Sequence, residues 1–276
     1  AVKKVTAILK VIAHDPYLLF GCIGILLLLF IAFAAPLLTS VSAQSYKGES
    51  LLPPGSEGHP LGTNHLGQDV YSMLIYGTRT SLKVGLVSAC ISGALGVIIG
   101  GIAGYFGGGV DRVLSEVINV FMMIPTLFLI LLVVSLFGNS IVHVMLIIGL
   151  TSWPGNAKMM RAQALSLRER TFVMGAKSMG ESNLQILFRY IIPNGIFPII
   201  SNTTASMAHA ILTEASLSFL GLGDPMSVSW GQMILDGRNY LSRGWWISTF
   251  AGIAIVLTVL IFYATGDGLN HVLNPK

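Results

Sequence analysis

Six stretches of the chain are apolar for about the 20 residues that a helix needs to cross a hydrocarbon core: 17–38, 81–106, 113–137, 141–161, 192–220 and 245–266. The fourth is interrupted by Trp153-Pro154-Gly155. A proline there frees a backbone carbonyl and predicts a kink. The polar segments between the runs divide the chain into a short lead (1–16), a first helix with the long segment that follows it (17–80), and a core of five further helices (81–276). The pattern predicts an all-α membrane protein with six transmembrane helices.

One polar stretch, 165–192, breaks the apolar run of the core and has start and stop signals of its own. Ser166-Leu-Arg-Glu169 fits a capping box, in which hydroxyl and carboxylate satisfy the free amides of a helix start. The helix it opens passes through Phe172, Ala176 and Met179, at spacings that share a face. Gly180 then supplies a left-handed position at the helix end, which other residues take at a cost. Ser182-Asn-Leu-Gln185 is a second capping box, followed by Leu184, Leu187, Phe188 and Ile191, before Pro193 marks the entry to the fifth span. Two capped helices joined at a glycine predict a rigid elbow: either a structured connector packed beneath the bundle or a docking surface. For docking, Gly175 and Ala176 allow close approach and Met174 and Met179 offer adaptable apolar contacts.

Composition agrees with a membrane protein. Hydrophobic residues are 53% of the chain, charged residues 10%, and mean hydropathy is +0.76, against about 25% charged residues in soluble domains. Cytoplasmic loops are enriched in Lys and Arg. With the N-terminus inside, only Lys47, Arg79, Lys83, Arg238 and Arg243 of the 16 cations fall outside. Both termini are therefore expected in the cytoplasm, with the elbow on the same side. The net charge of +4 is then a topology signal rather than a nucleic-acid footprint. The basic lead is expected to lie on the inner surface, and the first span to act as a signal anchor. Trp230, Tyr240, Trp245 and Trp246 suit the headgroup level. Segment 61–81 is expected to be helical, running along the outer surface into the second span. Cys22 and Cys90 both fall within spans, which excludes a disulfide framework or a Cys-rich metal site.

Few residues carry candidate chemistry. Gly96, Gly100 and Gly104, with Gly108 in the same register, form a stripe that lets another helix approach closely, at a subunit or a bundle interface. Glu214 lies inside the fifth span, where an ionisable residue faces a cavity or a partner. It meets a cationic group in a cavity or holds a neighbouring helix by hydrogen bonds, and the packing role leads. Glu116 has a structural role near the inner end of the third span. His209 is turned well away from the Glu214 face, which argues against a proton relay between them. His59, His65 and Asp69 supply at most half of a metal site. No catalytic constellation and no G-x-x-x-x-G-K-[ST] phosphate loop is present.

The elbow resembles the "EAA…G…I.LP" loop of inner-membrane permease subunits of ABC importers. Met174-Gly175-Ala176, Gly180 and Ile191-Ile192-Pro193 stand in the matching places, with Met174 where the family has its glutamate. "LGTNHLGQDVYSMLIYGTRTSL", "AGYFGGGVD", "SLRERTFV" and "ILTEASLSFLGLG" are similar to the C-type subunits of the dipeptide/oligopeptide/nickel group. Asn64 and Gln68 replace the usual Asp and Arg of the first of these elements. The resemblance implies a type I ABC importer permease fold in a prokaryotic inner membrane, surrounded by lipid. It implies a homologous second permease subunit, two cytoplasmic ATPases that hold the ATP and Mg, and an external solute-binding protein. This chain would then be non-catalytic and bind no cofactor, metal or nucleic acid. Docking to the ATPases would fall to Phe172, Met174, Gly175, Ala176, Met179, Gly180, Glu181 and Ser182. The implied cargo is di- or oligopeptide, with nickel or a metal chelate as the alternative within the family. A stand-alone channel or secondary transporter is the alternative outside it.

Overall fold

The computed structural model describes residues 14–39, 41–46 and 48–273. The amphipathic lead expected over 1–16 falls almost wholly outside them. The described residues are mainly helical and contain no strand: α1 (Pro16–Leu38), α2 (Val70–Phe106), α3 (Gly108–Met123), α4 (Thr126–Phe137), α5 (Ile141–Leu167), α6 (Thr171–Ser178), α7 (Asn183–Ile186), a π-turn at Leu187–Ile191, α8 (Ile192–Gly195), α9 (Phe197–Phe219), α10 (Trp230–Arg238) and α11 (Trp245–Leu273).

Three helices are long and apolar enough to cross a membrane on their own: α1, α2 and α11. Two further spans arise if bent pairs count as one each: α3 with α4, bent by 75°, and the α7–α8 segment with α9, bent by 61°. The run at 141–161 forms α5 but is not among these five by composition, because its second half carries Asn156, Lys158 and Arg161. Two of these polar side chains are matched inside the bundle. Asn156 donates to Ser92 Oγ at 3.0 Å and accepts from Asn202 Nδ2 at 2.8 Å. Arg161 forks onto both oxygens of Asp111, from Nε at 2.5 Å and Nη2 at 2.7 Å, and so fixes the start of α3 against α5.

The chain breaks at Pro125 and stays helical through Pro154. α5 runs through Pro154 as one helix, whereas Ile124 is extended (φ −75°, ψ 116°) and Pro125 caps α4. A residue before proline is pushed out of the helical region, and at 124–125 the chain yields to that push. The predicted helix over 61–81 is also corrected at its start. Residues 61–69 form turns with positive φ at Gly62 and Gly67. α2 begins only after Asp69, whose Oδ2 accepts the Ser72 amide at 2.8 Å.

The glycine stripe on α2 seats α5 within the same chain, so the close approach is a bundle contact. A Cβ at Gly96 would strike Asn156, one at Gly100 the Ala157 carbonyl, and one at Gly104 the Arg161 carbonyl and Ala164. Gly108 lies outside this contact, with open space around it and φ +54°. α1 packs on α11 in a similar way, Gly21 against Thr265 and Gly268 against Leu18.

At the end opposite the elbow, residues 41–46 and 48–69 form a cap with α10. The tryptophans hold it in place. Trp230 and Trp246 are buried, against the headgroup placement expected of them, and donate to the carbonyls of Leu74 and Thr63, each at 3.1 Å. A buried indole N–H needs such an acceptor. Trp245 stays exposed.

Candidate functional site

The elbow is rigid, for reasons that differ in part from those the sequence suggests. Its first capping box is absent: Ser166 lies inside α5, and α6 starts after Arg170 with no side-chain cap. The second is complete, with the Ser182 hydroxyl accepting the Gln185 amide and the Gln185 side chain accepting the Ser182 amide. Gly180 has φ +81°. The amide of Glu181 returns to the Ala176 carbonyl at 3.2 Å and that of Gly180 to Lys177 at 3.0 Å, the double closure of a Schellman end.

Val173, Ala176, Ile186, Leu187 and Ile191 pack from the elbow onto Tyr105 of α2 and Met160 and Ala164 of α5. The Tyr105 hydroxyl donates to Asn183 Oδ1 at 2.9 Å, the Tyr190 hydroxyl to Glu181 Oε1 at 2.8 Å, and Arg168 Nη1 to the Gly104 carbonyl at 3.3 Å. Of the eight residues singled out in the loop, Ala176 therefore faces the bundle at 1% exposure, and Glu181 is half-buried beneath Tyr190. Phe172, Met174, Gly175, Met179, Gly180 and Ser182 remain open. Leu184 (60% exposed) and Phe188 (56%) extend the same surface, a contribution not singled out from sequence. Five large apolar side chains on one short loop are more than chance exposure leaves on a solvated surface.

Glu214 is 2% exposed. Its Oε1 accepts from Ser218 one turn on and from Ser229, the N-cap of α10, each at 2.8 Å. The carboxyl group thus latches the cap to α9, which favours its packing role. Replacing it with alanine leaves both hydroxyls without their acceptor in an apolar setting. The expected loss is about 3 kcal/mol, read as a lower thermal midpoint in detergent, with Glu214→Gln close to wild type because an amide oxygen keeps both bonds. A pathway role predicts the reverse: unchanged stability for both variants and altered uptake.

About 120° round α9 from Glu214 runs a polar stripe: Asn202, Ser206, His209, Thr213 and Ser216, spaced alternately by four and three residues. Ser206, Thr213 and Ser216 turn their hydroxyls back to carbonyls within the helix. His209 is exposed. His209, Thr213 and Ser216, with Thr126 and Ser152, line a cavity of about 160 Å³ between α4, α5 and α9. The spacing of the five residues is legible in the sequence, whereas the cavity is not, because α4 and α5 supply its other walls.

The histidines of the cap are separated. His59 Nδ1 meets Asp69 Oδ1 at 2.9 Å, while His65 stacks on Tyr240 with ring centroids 4.8 Å apart. Among the described residues no group of three or more His, Cys, Asp or Glu gathers as metal ligands do.

This architecture has counterparts. Residues 96–276 match the binding-protein-dependent transport system inner membrane component family. The chain belongs to that family. It is a permease subunit of an ABC transporter. The permease is 37% identical to the dipeptide transport system permease protein DppC of Alkalihalophilus pseudofirmus, over 97% of this chain and 88% of that protein. It is 36% identical to the glutathione transport system permease protein GsiD of Pectobacterium atrosepticum, over 91% of this chain and 84% of that one. In fold it resembles a chain of the MetNI methionine ABC transporter in an inward-facing conformation, with a TM-score of 0.55 at 19% identity, over 72% of this permease and 96% of that chain.

Proposed function

We propose that this permease forms half of the translocation pathway of an ATP-driven importer for di- and oligopeptides. A homologous second permease supplies the other half, two cytoplasmic ATPases bind ATP and Mg, and an external solute-binding protein delivers the cargo. The reading has six transmembrane helices, counting α5 and each bent pair as one, with both termini and the elbow in the cytoplasm. The distribution of Lys and Arg supports that orientation. The observation that carries the proposal is the exposed apolar elbow on a chain whose relatives are named for dipeptide and glutathione transport.

The elbow is the coupling device. From Asn183 it leads through the π-turn and α8 to the 61° bend before α9. π-bulges often mark places where a helix must shift. When the ATPases close on ATP, the docked elbow moves as a body, and α9 carries its polar stripe with it. Cargo inside the cavity then meets hydroxyls and an imidazole instead of lipid.

The test is uptake by the complete importer in proteoliposomes, with labelled dipeptide, labelled oligopeptide and labelled nickel offered separately. ATP-dependent accumulation of peptide alone is the expected result. Accumulation of nickel alone would move the cargo to metal. Transport by this chain without ATPases, driven by an ion gradient, would make it a channel or secondary transporter.

A further inference from the structure

The cap contains a second concavity, apart from the elbow and from the cavity beside α9. It encloses about 390 Å³ between residues 44–46, residues 66–73, the 225–229 turn and α10. Its walls are rich in acceptors. Gln232 and Asp236 stand one turn apart on the same face of α10 and both line it. Gln232 Oε1 is buried with no hydrogen-bond donor. Among the described residues no donor or cation pairs with the Asp236 carboxylate. Burial pushes the Asp236 carboxyl above the ordinary range, with the His65 ring pulling weakly the other way. A half-buried carboxylate beside an orphaned amide oxygen is costly unless something supplies protons to both.

We infer that this pocket receives a cationic side chain, lysine or arginine, from the external solute-binding protein when it docks on the cap. The inference rests on the importer reading proposed above. Charge complementarity selects the chemistry: two acceptors lining one pocket, one of them anionic, call for an ammonium or guanidinium group. Position selects the source. Ser229, which lines the pocket, donates to Glu214 of α9, so the pocket is tied directly to a helix of the bundle. The cap is also the outer face in the proposed orientation, where a soluble delivery protein arrives.

The experiment uses the complete importer in lipid nanodiscs and the solute-binding protein that co-purifies with it. Its dissociation constant is measured from 50 to 300 mM NaCl for the wild type, Asp236→Asn, Gln232→Met, Lys47→Ala and, as a control, Glu57→Gln in the outer segment. Asp236→Asn is expected to weaken docking about tenfold at low salt and to flatten the salt dependence. Gln232→Met weakens it a fewfold, while Lys47→Ala and Glu57→Gln leave it unchanged. If Asp236→Asn fails to assemble, the Gln232→Met result decides. Equal docking by wild type and both pocket variants overturns the inference and leaves the importer reading standing. Loss of the second permease from the complex without weaker docking overturns it by assigning the pocket to that subunit. Weaker docking in Lys47→Ala overturns it by placing this chain's own lysine in the pocket. A wild-type importer that binds no solute-binding protein removes the importer reading itself.

Discussion

Gly180→Val is expected to reduce ATP-driven uptake roughly tenfold while leaving the chain in the membrane. Gly180 holds φ +81° between α6 and α7, with nothing within 4 Å of where its Cβ would stand. A side chain there meets no steric obstacle from the fold, and the penalty is in the backbone alone. For an ordinary L-residue the left-handed conformation costs about 1–2 kcal/mol, and for a β-branched one more. The elbow can avoid that cost by opening its Schellman end, which releases the Glu181 and Gly180 amides from Ala176 and Lys177. A shift of 1.4 kcal/mol is a factor of ten in the ratio of correct to opened elbow. Gly180→Asn separates this cause from loss of surface contact, because asparagine tolerates the left-handed region yet adds a polar side chain at the same spot. ATP hydrolysis and uptake are measured together in proteoliposomes. The valine variant should hydrolyse ATP with little uptake, and the asparagine variant should stay near wild type. Equal, normal uptake by both would remove the elbow from the coupling route.

Much of that elbow was legible because its determinants are local. A glycine and a Ser-x-x-Gln box each act within a few residues, and both hold the conformations they announce; the fifth span opens at Phe197-Pro198, after the bend, rather than at Pro193. Ser166-Leu-Arg-Glu169 failed as a capping box for a tertiary reason. Met160 and Ala164 are buried against the elbow and α2, so continuing α5 through Ser166 keeps apolar contact that a helix start there would interrupt. The same competition decides which proline breaks the chain. At Pro154 the neighbours Trp153, Asn156 and Ala157 are packed on all sides and hold the helix. Around Pro125 residues 121–125 and 127–128 are exposed, and nothing resists the extended conformation of Ile124. The glycine stripe announced a close contact, but only the fold could name α5 as its partner. The buried roles of Trp230 and Trp246 depend on acceptors 156 and 183 residues away, beyond the reach of any local pattern.

Thr213→Trp is expected to abolish peptide uptake while ATPases and second permease still assemble. Thr213 is the fourth of the five residues of the polar stripe and lines the cavity of about 160 Å³ between α4, α5 and α9. An indole occupies most of such a volume. The reason to regard this cavity as path rather than packing defect is chemical. Five polar side chains along one face of an apolar helix are costly against lipid. Self-bonding of Ser206, Thr213 and Ser216 to the helix backbone lowers that cost without removing it, and the exposed His209 imidazole remains to be solvated. Water or cargo in the cavity satisfies it. Leu257→Trp, on the exposed face of α11, is the control for added bulk outside the cavity. His209→Leu refines the test by removing the polar tip at little change in volume: if cargo passes here, uptake should fall with ATP hydrolysis retained and the preference among peptides should change. If instead the cavity only accommodates an acyl chain, Thr213→Trp fills a void, raises the thermal midpoint and leaves uptake intact, and the path must then be sought on another face of the bundle.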